Sequence, residues 1–136
     1  MKRTLRKSMI QKRRSMELEE WKQKSHDILT RITASSLIDS KETIMIFMDF
    51  RKEVMTKPII SWLWDQGKQV VIPRVKKGSA ILDLCLIESF DDMELSSMGI
   101  LEPKANHDRF AAPADIDFVF MPGVAFTKDG GRLGYG

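Results

Sequence analysis

One cysteine among 136 residues excludes an internal disulfide framework and fits a reducing, cytoplasmic setting. That residue, Cys85, lies inside the apolar run 80–87, where a buried, inert thiol is the simple expectation. No hydrophobic stretch approaches the ~20 residues of a membrane span, so no membrane partner is expected. The two histidines, His26 and His107, have no partners at metal-ligand spacing. There is no Gly-x-Ser-x-Gly elbow and no Cys/His pairing pattern, which leaves covalent catalysis without a candidate nucleophile. Internal repeats, low-complexity tracts and linkers are also missing, so one domain spanning residues 1–136 is expected.

Acidic residues are missing from one end. Lys2, Arg3, Arg6, Lys7, Lys12, Arg13 and Arg14 all precede the first acid, Glu17. Of 22 basic residues, 15 remain after that segment, against 19 acids. The net charge of +3 therefore belongs to a short N-terminal stretch, and the rest is mildly acidic. Such a stretch invites something negative, although a solvated, frayed terminus or a transit peptide has the same composition.

Hydrophobic content of 43% and charged content of 30% describe an ordinary globular chain. Residues 2–14 place Leu5, Met9 and Ile10 at helical spacing with cations on the other faces. Ser15 is a plausible N-cap for a second helix with the apolar stripe Leu18, Trp21, Ile28, Leu29 and Ile32. Glu17, Glu19 and Glu20 then fall where the helix dipole favours them. Apolar runs at 43–48, 69–73, 80–87 and 118–121 read as buried strands. Lys57-Pro58 opens a helix that runs through Trp64 and closes at Gly67. Residues 89–110, broken by Gly99 and Pro103, read as loop. Short all-apolar strands separated by helices imply an α/β fold, a three-layer sandwich with a mostly parallel sheet flanked by helices.

In such sheets ligands sit beyond the carboxyl ends of the strands. Two segments leave strands there: residues 49–56, which contain Glu53, and the glycine-rich stretch after the last strand. In the latter, Gly130, Gly131, Gly134 and Gly136 flank Arg132. Glycines let backbone N–H groups approach an anion, and a guanidinium recognises phosphate with a permanent, fork-shaped charge. The spacing matches neither the P-loop nor the dinucleotide fingerprint, and surface turns share this composition. Glu53 alone would pass for a solvated loop residue. Trp62, Trp64 and the nine methionines fit core packing.

Several segments in order resemble one family. They are Lys2-Arg3-Thr4-Leu5-Arg6, Glu53-Val54-Met55-Thr56, Val71-Ile72-Pro73 and Gly99-Ile100-Leu101-Glu102-Pro103. Last comes Met121-Pro122-Gly123-Val124-Ala125-Phe126, leading to Gly131-Arg132-Leu133-Gly134-Tyr135-Gly136. Together they are similar to 5-formyltetrahydrofolate cyclo-ligases, also called methenyltetrahydrofolate synthetases. The resemblance implies ATP-dependent ring closure of a reduced folate, with Mg2+, through a phosphorylated formyl group. It implies ATP binding by Lys2, Arg3, Thr4, Leu5, Arg6, Arg132, Leu133, Gly134, Tyr135 and Gly136. It implies folate binding by Arg6, Met48, Glu53, Tyr135 and Gly136. Arg132 is the candidate for phosphate stabilisation, and no other catalytic residue is assigned.

The family's loop continues Gly-Gly-Tyr-Tyr-Asp into a further helix and strands, which this sequence does not contain. The paired tyrosines and the acids that hold magnesium are among them, so no metal ligand is expected within these residues. Thr127 stands where the family commonly has Asp. A polypeptide of these 136 residues is accordingly expected to be an incomplete domain with little or no activity. A monomer or weak homodimer is expected. The alternative is a nucleic-acid-binding module using the basic N-terminal helix, which the net acidity of the remaining chain disfavours. A relative that kept the fold but changed its acceptor also fits the sequence.

Overall fold

A computed structural model describes residues 1–76 and 78–135. Two helices come first, α1 (Lys2–Arg14) and α2 (Leu18–Ala34), followed by strand β1 (Thr43–Ile46), helix α3 (Lys57–Asp65) and strands β2 (Gln69–Val75) and β3 (Leu82–Ile87). Short strands β4 (Met93–Leu95), β5 (Leu101–Pro103), β6 (Phe118–Phe120), β7 (Ala125–Phe126) and β8 (Arg132–Leu133) complete the order. No helix among the described residues is long and apolar enough to cross a membrane.

The main sheet has the order β3-β2-β1-β6. Strand β1 runs parallel to β2 and to β6, while β2 and β3 are antiparallel. The α/β, mostly parallel architecture expected from the sequence is present, with one strand reversed. The reason is chain length: only residues 76–81 separate β2 from β3, whereas a parallel crossover needs roughly a dozen or more.

The core occupies one face of this sheet. Ile44, Val70 and Ile87 lie in register across three strands, as do Ile72 and Cys85 across two. With Ile46 they pack against Ile59, Ile60 and Leu63 of α3, and Leu29 and Ile32 of α2 close the edge. Cys85 is fully buried, and that burial pushes its thiol pKa up. Helix α3 begins where proline's fixed φ and missing N–H cost nothing, and ends before Gly67 at φ 75°. The opposite sheet face is less evenly covered: in the row Met45, Val71 and Val119, Val71 is buried while Val119 is 41% exposed.

Two local expectations are corrected. Ser15 does not cap α2; its backbone stays helical and its hydroxyl donates to the Lys12 carbonyl, so it terminates α1. Glu17 takes the extended backbone of the N-cap position instead. Residues 89–110 are not simply loop, because β4 and β5 form an antiparallel hairpin within them.

Candidate functional site

Beyond Ile46 the chain leaves the sheet in a loop that Asp49 and Thr56 close. The Thr56 hydroxyl donates to Asp49 Oδ1 at 2.7 Å, and the Thr56 amide donates to the same oxygen at 2.9 Å. Within it Arg51 and Lys52 have φ values of 51° and 63°. Two consecutive non-glycine residues in the left-handed region cost about 1–2 kcal/mol each and persist only where surrounding structure over-determines them. Here the Lys52 ammonium is held by the Met16 and Arg14 carbonyls, where α1 meets α2.

This turn aims Glu53. Its Oε1 accepts from the Phe50 amide at 2.8 Å, and its own carbonyl accepts from the Trp21 indole N–H at 2.7 Å. Its Oε2 accepts the Tyr135 hydroxyl at 2.6 Å. An ionised carboxylate offers about four acceptor positions, so two remain for other donors.

The glycine-rich stretch is a hairpin. Strands β7 and β8 pair Ala125 with Leu133 and Phe126 with Arg132. Its turn is closed by Thr127, whose hydroxyl accepts from the Gly131 amide at 2.7 Å. The same hydroxyl donates to Asp129 and, with backbone donors at Gly131 and Asp129, holds that carboxyl below its usual range. Gly130 supplies the left-handed turn at φ 96°. Gly123 allows a close approach: a Cβ there would lie 2.7 Å from the Phe126 ring. The N–H groups of Gly130 and Gly131 are thus spent on the turn.

After β8 the chain meets α1. The Arg6 Nε donates to the Gly134 carbonyl at 2.8 Å. Helical periodicity places Arg3, Arg6, Lys7 and Arg14 on one side of α1, where with Tyr135 they line a groove of about 610 Å³. None of these four cations is in an ion pair with a described residue, so the groove presents uncompensated positive charge. Two turns from Arg6, Arg13 donates to the Tyr135 hydroxyl and, at 3.2 Å, to the Gly123 carbonyl.

The structure brings Arg3, Arg6, Gly134, Tyr135 and Glu53 together. Lys2, Thr4 and Leu5 are exposed, and no side-chain hydrogen bond ties them to the described residues. Leu133 is a hairpin residue whose carbonyl accepts from Val124, and Arg132 is turned toward the Pro122 carbonyl at 2.9 Å. Met48 and Glu53 line different cavities. Met48 shares one of about 420 Å³ with Lys57, Leu95, Gly99 and Leu101, which brings the β4–β5 hairpin to the site. Glu53 borders another, of about 350 Å³ and largely apolar, between α2 and the sheet. Trp21 lines both. Gly136 lies outside the described residues. Sequence reasoning missed Arg13 as a site residue; its seven-residue offset from Arg6 was the available signal. It also missed the hairpin, whose three-residue strands carry too little periodicity to be seen.

Among the described residues no group of three or more His, Cys, Asp or Glu side chains could hold a metal ion. The described residues thus offer no three-acid cluster of the kind that would hold a divalent ion on protein groups alone.

The 5-formyltetrahydrofolate cyclo-ligase family model matches residues 1–136. The Mus musculus 5-formyltetrahydrofolate cyclo-ligase is 32% identical over 99% of this chain and 69% of its own length. The Haemophilus influenzae protein of the same name is 35% identical over 76% of this chain and 57% of its own. Among solved structures, the Aquifex aeolicus 5,10-methenyltetrahydrofolate synthetase superposes with a TM-score of 0.82 at 27% identity, covering 99% of this chain and 67% of that one. The Mycoplasma pneumoniae 5,10-methenyltetrahydrofolate synthetase shares the fold, with a TM-score of 0.72 at 23% identity. The chain spans 57–69% of the length of the two curated relatives above. With its fold superposing and the family model covering its whole length, the chain belongs to the 5-formyltetrahydrofolate cyclo-ligase family.

Proposed function

We propose that this chain provides the nucleotide arm and the folate loop of an enzyme that converts 5-formyltetrahydrofolate to 5,10-methenyltetrahydrofolate at the expense of ATP. The observation supporting this is one bonded path: Arg6 holds Gly134, and the next residue, Tyr135, donates to Glu53. The path joins residues expected to bind nucleotide with the residue expected to bind folate.

In this reading Arg3, Arg6, Lys7 and Arg14 neutralise the triphosphate, with Lys2, Thr4 and Leu5 on the same helix and Arg132 to Gly136 also contacting the nucleotide. Arg6, Met48, Glu53, Tyr135 and Gly136 face the reduced folate, and the acceptor positions left on Glu53 suit the N–H donors of a pterin. The formyl oxygen attacks the γ-phosphorus of ATP, the bond to the ADP oxygen breaks, and an imidate phosphate forms. N10 then bonds to the formyl carbon and loses its proton to solvent, and phosphate leaves with the former formyl oxygen. An amide oxygen is a poor leaving group until it is phosphorylated. Positioning two ligands and neutralising the transferring group therefore supply most of the catalysis. Mg2+ would accompany the ATP, bound by groups outside this residue set. The enzyme would work in the cytoplasm as a monomer or weak homodimer.

Equilibrium binding tests the reading. Both ATP and 5-formyltetrahydrofolate should saturate the chain. Arg6→Ala should weaken ATP, and Glu53→Gln should weaken the folate, by about tenfold each, the scale of one hydrogen bond to a charged group. With ATP and Mg2+ present, rising near-ultraviolet absorbance of the methenyl product would add direct support. Failure of both ligands to bind, or salt-sensitive RNA binding in their place, would overturn it.

A further inference from the structure

Glu53 is oriented by more than its own loop. Its Oε2 receives the Tyr135 hydroxyl, and that hydroxyl in turn accepts a bond from Arg13. The Arg13 guanidinium also lies 5.5 Å from the centre of the Tyr135 ring and donates to the Gly123 carbonyl. Its Nε is buried and has no hydrogen-bond partner among the described residues. An unsatisfied buried donor carries a penalty of about 1–3 kcal/mol. Arg13 is held through its Nη atoms, which bond the Gly123 carbonyl and the Tyr135 hydroxyl.

From this geometry we infer that Arg13 is a positioning residue. Acting through the Tyr135 hydroxyl, it fixes the direction of the Glu53 carboxylate and couples the cationic helix α1 to the folate-facing loop. The inference rests on the function proposed above for its folate readout, while its structural half stands alone. A bond from a cation to the phenol oxygen draws electron density away and strengthens the phenol as a donor to Glu53. Loss of the guanidinium would release the Tyr135 hydroxyl from α1 and weaken its hold on Oε2, while the Phe50 amide still holds Oε1. Arg13 does not line the groove of Arg3, Arg6, Lys7 and Arg14, so the nucleotide should hardly notice the change.

Tyr135 is the chain's only tyrosine, so tyrosinate absorbance reads this network without any ligand. Burial raises its phenol pKa, the bond to Glu53 raises it further, and the bond from Arg13 opposes both. The other charges beside the ring are Arg3, Arg6, Lys7 and Arg14 of α1. Shifts of opposite sign are expected: Glu53→Gln moves the phenol titration down, Arg13→Gln moves it up, and Arg13→Lys moves it less than Arg13→Gln. If neither Gln variant moves the titration, or both move it the same way, the chain of bonds does not exist.

The functional half is read by binding. Arg13→Gln should weaken 5-formyltetrahydrofolate about tenfold and ATP less than about twofold, the scale of one charge-assisted bond. Tyr135→Phe keeps the ring and should give the same folate loss. The double variant should be no worse than either single one, because both remove the same coupling. Additive losses, or a loss confined to ATP, would overturn the inference. If neither ligand binds the unsubstituted chain while the opposite-signed titration shifts are present, the proposed function fails and the geometry stands.

Discussion

Helices α1 and α3 are held to the molecule by different physics. Helix α3 buries Ile59, Ile60 and Leu63 against the sheet, at 3% exposure or less. Helix α1 buries no residue at all. Its attachments are polar: Arg6 to Gly134, Arg13 to Gly123 and Tyr135, and the Lys52 ammonium on the Arg14 carbonyl. Apolar burial resists rearrangement because a packed interior has no alternative of similar energy. A few solvent-accessible polar bonds can be exchanged for bonds to a ligand at little net cost. The apolar half therefore supplies the frame, and the polar half is the part whose attachments open most easily.

The largest expected effect lies in the rigid half. Leu63→Ala should lower unfolding stability by about 2–5 kcal/mol, read from the denaturant midpoint, because it leaves a cavity between α3 and the sheet. Arg6→Ala should cost only about 0.5–1.5 kcal/mol and show up mainly as easier local opening of α1 in hydrogen exchange. If the two variants destabilise equally, the contrast between the helices is wrong.

A smaller, pH-dependent effect is expected at Asp117. Its Oδ2 accepts from the amides of Glu42 at 3.0 Å and Thr43 at 3.1 Å, pinning the start of β1 beside β6. Those bonds hold its carboxyl below the usual range. A depressed native pKa contributes stability above the unfolded-state value that is lost as pH falls through the native one. Asp117→Asn should thus be less stable than the parent at neutral pH, with the gap closing in acid. A gap that widens in acid would contradict the assignment. The smallest effect is expected from Lys2→Ala. Stability should stay within about 0.5 kcal/mol, as for an exposed substitution without partners, while ATP binding weakens slightly.

Much of the frame was legible because local chemistry and packing agree there. Lys57-Pro58 and Gly67 bracket α3 as expected, and the apolar runs at 43–48 and 69–73 contain β1 and the start of β2. The reversed β3 could have been foreseen from the short connection before it, but all-apolar composition pointed toward parallel pairing. Ser15 and Glu17 compete for the same cap, and the tight α1–α2 junction decides in favour of Glu17.

The candidate site was legible only in part. The roles of Arg6, Glu53 and Tyr135 came from the family resemblance, and the structure joins Arg6 to Gly134 and Tyr135 to Glu53. Arg13 escaped because its role depends on a residue 122 positions away. The glycine-rich composition suits a phosphate cradle, and the structure shows that Gly130 and Gly131 spend their N–H groups on a hairpin turn, leaving the expected contacts to Arg132 and the residues after it. Composition suggests that backbone can approach something. It does not say whether that something is an anion or the neighbouring strand.

The contrast between the two helices is tested most directly by amide hydrogen exchange along α1 and α3, without ligand and with ATP plus 5-formyltetrahydrofolate. Helix α1 should open at a free energy well below that of α3 in the free chain, and the ligands should raise protection in α1 while leaving α3 unchanged. Equal protection of the two helices, with no response of α1 to the ligands, would contradict it.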